Sequence, residues 1–383
     1  MPSIWSYSDS SDRGYGLFKR RLFRELEIRG WRAHLAEASL IDPAAKPQLR
    51  DHWFDHPSDW ILLINQTAAH FYEYLEIPPD QRPVSVKKIV WFLDDPRFFV
   101  TQAFEAEEYV FCFDETYLDF LRENNPRFCG FMPLAADVAE AGVYDPAFAS
   151  EVCFVGGMID QSERRRQLSP EMTEYVDRLV EEKLRQRFKT FDQLAEEIPF
   201  APGKRIHITP QVAHYLYWEA NIRYRIRTLE ALADFDLRIY GNEDWERLLS
   251  GSLLLRRFHG PADPVRDLPR IFVSAKINLN IHSIQCRGSL NQRDFNAPLA
   301  GGFLLSDWVP AAGSYFSPGV EAVYWSDIND LRQKIVYYLA HERERAAIVK
   351  RGQQRAQRDH TYHRRIQQLL SVLDACASRD KTI

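Results

Sequence analysis

Short apolar runs separated by stretches with helical spacing recur along the chain. Ser3 to Tyr7 reads as a strand. After a polar loop containing glycine, Phe18, Leu22 and Leu26 recur every four residues on a helix that Gly30 can end. Arg32 to Ala36 is a weaker strand, and Trp60 to Ile64, Lys88 to Leu93, Tyr109 to Phe113 and Phe128 to Met132 are clearer ones. Helical patterns fill Ala68 to Leu75 and Thr116 to Asn124. The rhythm restarts at Val152 to Val155, ahead of Gly156-Gly157. A long, charge-rich helical stretch then covers about 160–234, interrupted near Pro199 to Pro210. Strands resume at Leu237 to Tyr240, Ile277 to Ile281 and Phe303 to Leu305, and helical segments follow over Asp327 to His341 and Arg343 to Leu373. Alternation of this kind predicts an α/β protein with parallel sheets covered by helices on both faces. We expect two doubly wound, Rossmann-like halves, 1–148 and 149–345, facing one another across a cleft, with ligands at the carboxyl edges of their strands.

The length of 383 residues agrees with two domains at about 150 residues each. With 49 basic and 54 acidic residues, the net charge of −5 excludes a global field that would draw the chain to nucleic acid or an anionic membrane. Apolar runs such as Trp60 to Ile64 fall far short of the ~20 residues a spanning helix needs. The start, MPSIWSYSDSSDRG, lacks a basic region followed by an apolar one, so no secretory signal and a cytoplasmic location are expected. The five cysteines form no CxxC pair and read as free thiols. His52 and His56, like His360 and His363, have the spacing of metal pairs, but no third ligand stands near in sequence. No metal site and no cofactor are expected.

Candidate chemistry concentrates between Ile277 and Asp307. A buried strand ending at His282 leads into a polar loop with Arg287, Gly288, Ser289 and Leu290. A helix then starts at about Asn291 and runs to Ala300. Such a strand–loop–helix aims free N–H groups at whatever lies over the loop, and Arg287 and Arg293 add charged donors, a combination that suits phosphate. The same pattern also fits a tight turn and a solvated helix. Arg164 to Arg166 follow the Gly156-Gly157 turn and are within sequence reach of a pyrophosphate, or simply solvated. In the first half, the loop SDSSDRGYG brings Asp12, Arg13, Gly14 and Tyr15 to a sheet edge. Asp94 and Asp95 leave the end of KKIVWFL just before Pro96. A strand-end carboxylate can take a proton from an acceptor hydroxyl, or cap a turn.

The segments INLNIH, LNQRDFNAPLAGGFLLSD and PGVEAVYWSDINDLRQKIVYYLAHERERAAIVKRGQQRAQRDHTYHRR resemble the spore-maturation (CgeB-like) group of glycosyltransferases, related to glycosyltransferase group 1. Upstream, VWFLDDP, FMPLAAD, CFVGG and the Leu268-Pro269 pair resemble it too, in the same order over about residues 86–366. The resemblance implies a GT-B fold, an acceptor bound mainly by the first domain and a nucleotide-sugar donor by the second. It implies a terminal helix, 346–383, crossing back to the first domain. It also implies a leaving diphosphate stabilised by helix N-termini and basic side chains without a metal. Glu321 would face the donor, unless it is a turn carboxylate, and His282 would touch phosphate or base, unless it is an interior histidine. Group-1 relatives carry an E-x7-E pattern whose second glutamate binds ribose hydroxyls. Here Gly288 and Asn296 occupy those positions, and asparagine offers one acceptor oxygen and no charge, leaving a retaining or an inverting outcome open. The leading expectation is transfer from a nucleoside-diphosphate sugar to a hydroxyl of a glycan, protein or lipid-linked acceptor. A nucleotide-sugar epimerase and a catalytically silent sugar-nucleotide-binding protein are the alternatives.

Overall fold

The computed structural model describes residues 1–9, 15–38, 44–136 and 142–380. The chain divides into two compact units, Met1–Asp137 with Arg358–Ile383, and Val138–Gln357.

The first unit opens with β1 (Ser3–Asp9), α1 (Tyr15–Ile28), β2 (Arg32–Ala38), α2 (Ala45–Asp55), β3 (Trp60–Ile64) and α3 (Ala68–Tyr74). It continues with β4 (Lys87–Phe92), β5 (Glu108–Cys112), α4 (Leu118–Glu123) and β6 (Phe128–Phe131). Its six strands run parallel in the order β2-β1-β3-β4-β5-β6. Near-continuous apolar strands such as WILLI are buried on both faces, as a parallel sheet between helical layers requires.

The second unit contains β7 (Ser150–Val155), α5 (Ser162–Arg166), α6 (Pro170–Arg185), α7 (Phe191–Glu197), α8 (Pro210–Glu230), β8 (Leu237–Tyr240) and α9 (Asp244–Leu248). After these come α10 (Leu268–Ser274), β9 (Ala275–Asn280), α11 (Gln292–Ala300), β10 (Leu304–Asp307), α12 (Ala312–Tyr315), β11 (Val323–Trp325), α13 (Ile328–Ala340) and α14 (Glu342–Asp359). The strands are again parallel, in the order β11-β10-β9-β7-β8, around a core of Phe154, Trp245, Ile277, Leu279 and Leu305. The last helix, α15 (Tyr362–Asp380), packs on α1 in the first unit, where Phe18 and Tyr362 meet edge to face with centroids 4.9 Å apart.

Differences from the sequence reading have local causes. Helix α2 buries only Ala45, Leu49 and Trp53, a stripe so diluted by charge and by Pro47 that it shows no helical period in the sequence. Strand β11 is three residues long, too short to show a pattern. The expected helix from Arg343 to Leu373 is divided at His360 and Thr361, where the Ala136 N–H donates to the His360 carbonyl (2.7 Å) and Ala136 bridges Thr361. The 160–234 stretch is four helices, α5 to α8. Among the described residues no helix is long and apolar enough to cross a membrane.

Candidate active site

In the second unit, the segments that leave β7, β9 and β10 converge at the carboxyl edge of the sheet. Gly156 and Gly157 follow β7. The Gly156 N–H donates to the Tyr240 carbonyl (2.9 Å), and the Gly156 carbonyl accepts from the Trp245 indole (2.7 Å). Gly241 lies against this turn. A Cβ there would stand 2.4 Å from the Gly156 oxygen and 2.5 Å from Trp245 Nε1, so only glycine fits. Close by, Arg293 Nη1 is 3.6 Å from where a Cβ on Gly156 would be.

His282, which continues from β9, is fully buried between two carboxylates. Its Nδ1 lies 2.5 Å from Asp307 Oδ1 and its Nε2 2.7 Å from Asp294 Oδ2, while its backbone N–H also donates to Asp307 (2.9 Å). Asp294 Oδ1 accepts from Ser306 (2.8 Å) and its Oδ2 from the Asn291 N–H (3.0 Å). Asn291 caps α11 by accepting from the Arg293 N–H (2.9 Å), and Arg293 Nε donates to Asn280 (3.0 Å). On the other side, Asp307 Oδ2 accepts from the Tyr224 hydroxyl (2.9 Å) and pairs with Arg187 (2.6 Å). Arg225, buried on α8, donates to the Gly157 carbonyl (2.7 Å), and its Nε has no partner among the described residues; nor does the buried Ser289 Oγ.

The electrostatics of this cluster favour an anion. Burial alone would lower the His282 pKa, but Asp294 and Asp307 outweigh it and push it up to about 9, so the ring is an imidazolium at neutral pH. Burial would raise Asp307, yet Arg187 and His282 hold it well below the usual carboxylate range. Burial and the neighbouring Arg293 pull Arg225 down to about 9, and burial lowers Arg293 too. Among the described residues neither guanidinium has a carboxylate within ion-pair distance. Arg187, Arg225, Arg293 and His282 thus face Asp294 and Asp307 with two positive charges in excess. Backbone N–H groups at the start of α11 add to that potential.

The other sequence candidates fall as follows. Gly288, Ser289 and Leu290 form the loop into α11, with Ser289 and Leu290 buried, and Asn296 is buried on α11. Arg287 donates through Nε to the Phe188 carbonyl (3.2 Å). Glu321 accepts from the Ser317 N–H (2.9 Å) and closes that turn. Arg165 pairs with Asp177 (2.8 Å) and Glu219 (3.2 Å), fastening α5 to α6 and α8. In the first unit, Asp95 is fully buried, caps the turn at Pro96 and pairs with Arg97 (2.5 Å), whereas half-buried Asp94 accepts from Asn65 (2.7 Å). Asp12, Arg13 and Gly14 lie outside the described residues, as does the side chain of Tyr15. His52 and His56 do have a third imidazole beside them, His34 from β2, with centroids of 4.1 Å (His52 to His56) and 4.7 Å (His34 to His56). The Trp5 indole and the His52 carbonyl occupy Nδ1 of His52 and His56. Among the described residues no group of three His, Cys, Asp or Glu side chains is arranged to hold a metal.

Sequence reasoning missed Arg187, Arg225, Asp294 and Asp307. The visible signals were Arg225 between apolar residues in ANIRYRIR and carboxylates at a helix start and a strand end, whereas Arg187, in the charged segment LRQRFK, carried none.

Comparisons with known proteins bear on this arrangement. Residues 223–371 match a family described as glycosyl transferase-like. No curated protein matches the chain in sequence. The chain is similar in structure to a sucrose-phosphate synthase from Thermosynechococcus elongatus, with TM-score 0.61 and 11% identity, covering 98% of this chain and 100% of that one. It is also similar to Anabaena HepE solved with UDP and glucose (TM-score 0.55, 9% identity, 98% and 100% covered). A glycosyltransferase from Rickettsia africae gives TM-score 0.54 at 9% identity, with 98% of each chain covered. The fold is therefore GT-B, two Rossmann-like parallel sheets. Its glycosyl transferase-like region contains Arg225, His282, Arg293 and Asp307, while Gly156 and Arg187 lie outside it.

Proposed function

We propose that this GT-B glycosyltransferase takes a nucleoside-diphosphate sugar at the cluster around Arg225 and Arg293 and transfers the sugar to a hydroxyl of a glycan, protein or lipid-linked acceptor. The observation that carries this reading is a pair of guanidiniums, Arg225 buried and Arg293 partly buried, with no carboxylate partner among the described residues, beside Gly156-Gly157 and the start of α11. Breaking the glycosidic bond develops charge on the diphosphate. Arg225, Arg293 and the α11 N–H groups are preorganised to stabilise it without solvent rearrangement. The positive charge comes from side chains, so transfer proceeds without a metal or other cofactor. UDP is the first nucleotide to test, since the structurally similar HepE was solved with it. The motifs quoted above support the finer, spore-maturation-like assignment. The five cysteines, none of them in a disulfide, support a reducing, cytoplasmic setting. On the acceptor side, Asp94 is the proposed base.

Calorimetric titration with UDP tests the donor site. Losing one charged hydrogen bond costs roughly 1.5–3 kcal/mol, so Arg293→Ala and Arg225→Ala are expected to weaken UDP about 10- to 150-fold. Excess EDTA is expected to leave the parent unchanged. Parental affinity in both variants would remove the diphosphate from this cluster, and EDTA-sensitive transfer restored by magnesium would refute metal independence.

A further inference from the structure

A cavity of about 600 Å³ opens on the second unit at the ends of β10 and β11, within the roughly 300–1,000 Å³ of ligand pockets. Part of the lining is the segment joining α6 to α7, with Arg187 and Phe188. Trp308, Trp325 and Tyr224 of α8 also line the space. Trp308 and Phe188 are exposed, whereas Trp325 is buried and its Nε1 has no partner among the described residues. Arg187 pairs with Asp307 and donates to the Tyr224 hydroxyl (3.0 Å) through Nη1, but its Nε and Nη2 are equally without partners.

The wall is held in place before any ligand arrives. Lys183, fully buried, donates to the carbonyls of Arg187 (2.5 Å) and Lys189 and lies over the rings of Phe191 and Tyr217. Arg287 adds a bond to the Phe188 carbonyl. A preorganised wall loses little entropy on binding. Asp327, the acidic side chain in the lining, is engaged by the Asn329 and Asp330 N–H groups at the start of α13. Of the other two cations in the lining, Arg185 pairs with Glu182 and Lys189 with Glu197, both at exposed side chains, so Arg187 is the cation of the lining whose unpartnered donors are buried.

Aromatic faces pack against the C–H faces of a pyranose, and a guanidinium fork accepts a carboxylate or phosphate. We propose that this cavity binds one anionic sugar of the acceptor, as a subsite of the second unit in addition to the first-domain binding that the resemblance implies, its ring against Trp308 and Phe188 and its carboxylate or phosphate on Arg187. The inference rests on the transferase reading above. Asp307 joins the two places physically, with Oδ1 on His282 of the donor cluster and Oδ2 on Arg187 of the cavity. The insertion between β7 and β8 thereby acquires a role as the wall of an acceptor subsite.

Calorimetry on the full chain saturated with UDP tests this, using glucuronic acid, glucose 6-phosphate, glucose and inorganic phosphate as probes. One of the two anionic sugars is expected to bind with one-to-one stoichiometry, and which one identifies the anion. Glucose and phosphate are expected to bind at least tenfold more weakly. Trp308→Ala and Phe188→Ala, both at exposed side chains, are expected to weaken the anionic sugar at least tenfold with UDP affinity and melting temperature at parental values. No binding of either anionic sugar, equal binding of glucose, or indifference to both substitutions overturns the proposal. A chain that fails to bind UDP is titrated without it. The donor reading then fails on the UDP titration alone, while the same four probes still decide the cavity.

Discussion

Asp94 and Asp95 are neighbours in sequence with different surroundings. Asp95 is buried against Arg97 and caps a turn, so its loss should act on stability. Asp94 accepts a bond from Asn65 (2.7 Å), whose own Oδ1 takes the Leu93 and Asp94 N–H groups (2.7 and 3.2 Å) and fixes the strand end. Asp94→Asn is expected to lower turnover ~10²–10⁴-fold with parental UDP affinity and melting temperature, whereas Asp95→Asn lowers the melting temperature first. Steady-state rates and thermal unfolding of the two variants check this, and a fully active Asp94→Asn places the base elsewhere. His282 makes a prediction about pH. Its folded pKa, about 9, is above the ordinary 6.5, so the imidazolium contributes stability in full below pH 6.5 and loses it as pH rises toward 9. Removing one partner from a buried charged group costs roughly 3–5 kcal/mol, so His282→Gln should melt well below the parent at pH 7. The gap should narrow by pH 9, as thermal unfolding across that range would record. A gap independent of pH would mean the ring is neutral in the folded protein.

At the level of elements, the site depends on loops being pressed together by residues that never touch a ligand. Trp245 of α9 holds the Gly156 carbonyl across the face of Gly241, and Asn221 of α8 accepts from the Ile284 N–H (2.6 Å) to fix the segment after β9. Overpacking such a contact costs typically 1–3 kcal/mol. Gly241→Ala should therefore lower the melting temperature by several degrees and weaken UDP by displacing Gly156-Gly157. Gly203→Ala, where nothing lies within 4 Å of the added Cβ, is the control with strain but no collision. Gly241 is outside the left-handed region, so thermal unfolding and UDP calorimetry on both variants separate collision from strain, and an equal loss of UDP affinity in the two would refute the displacement of Gly156-Gly157. Helix α8 is bound to α5 and α6 by Arg165, Arg223 and Arg227 against Asp177, Glu181 and Glu219. That network carries the cavity wall.

Over the whole molecule, the second unit is inserted in the first, which the chain leaves after Asp137 and re-enters at Arg358. Helix α15 buries Tyr362, Ile366, Leu369 and Leu373, and Arg365 donates to the Pro133 and Leu134 carbonyls (3.0–3.1 Å). Each fully buried side chain of this kind contributes about 1.5–3 kcal/mol, so the four together rival the 5–15 kcal/mol total stability of a domain. A chain ended at Gln357 should leave the first unit unfolded or aggregated while UDP binding persists in the second. Limited proteolysis with UDP titration checks it, and an intact, protease-resistant first unit would refute it.

Sequence alone determined the alternation of strands and helices, and with it two parallel sheets, because periodicity and β-branched runs are local properties of the chain. It also marked the Ile277–Asp307 window, where His282, Asn291 and Arg293 meet, because a strand, a glycine loop and a helix start are legible at short range. It did not reveal that Arg187 and Arg225, about 55 to 105 residues upstream of that window's residues, complete the cluster, or that His282 stands between Asp294 and Asp307. Nor did it tell Asp94 from Asp95. Those distinctions depend on which side chains are withdrawn from water and what faces them there. Burial and the sign of a neighbouring charge belong to the packed sheet and its helices, and only the tertiary structure supplies them.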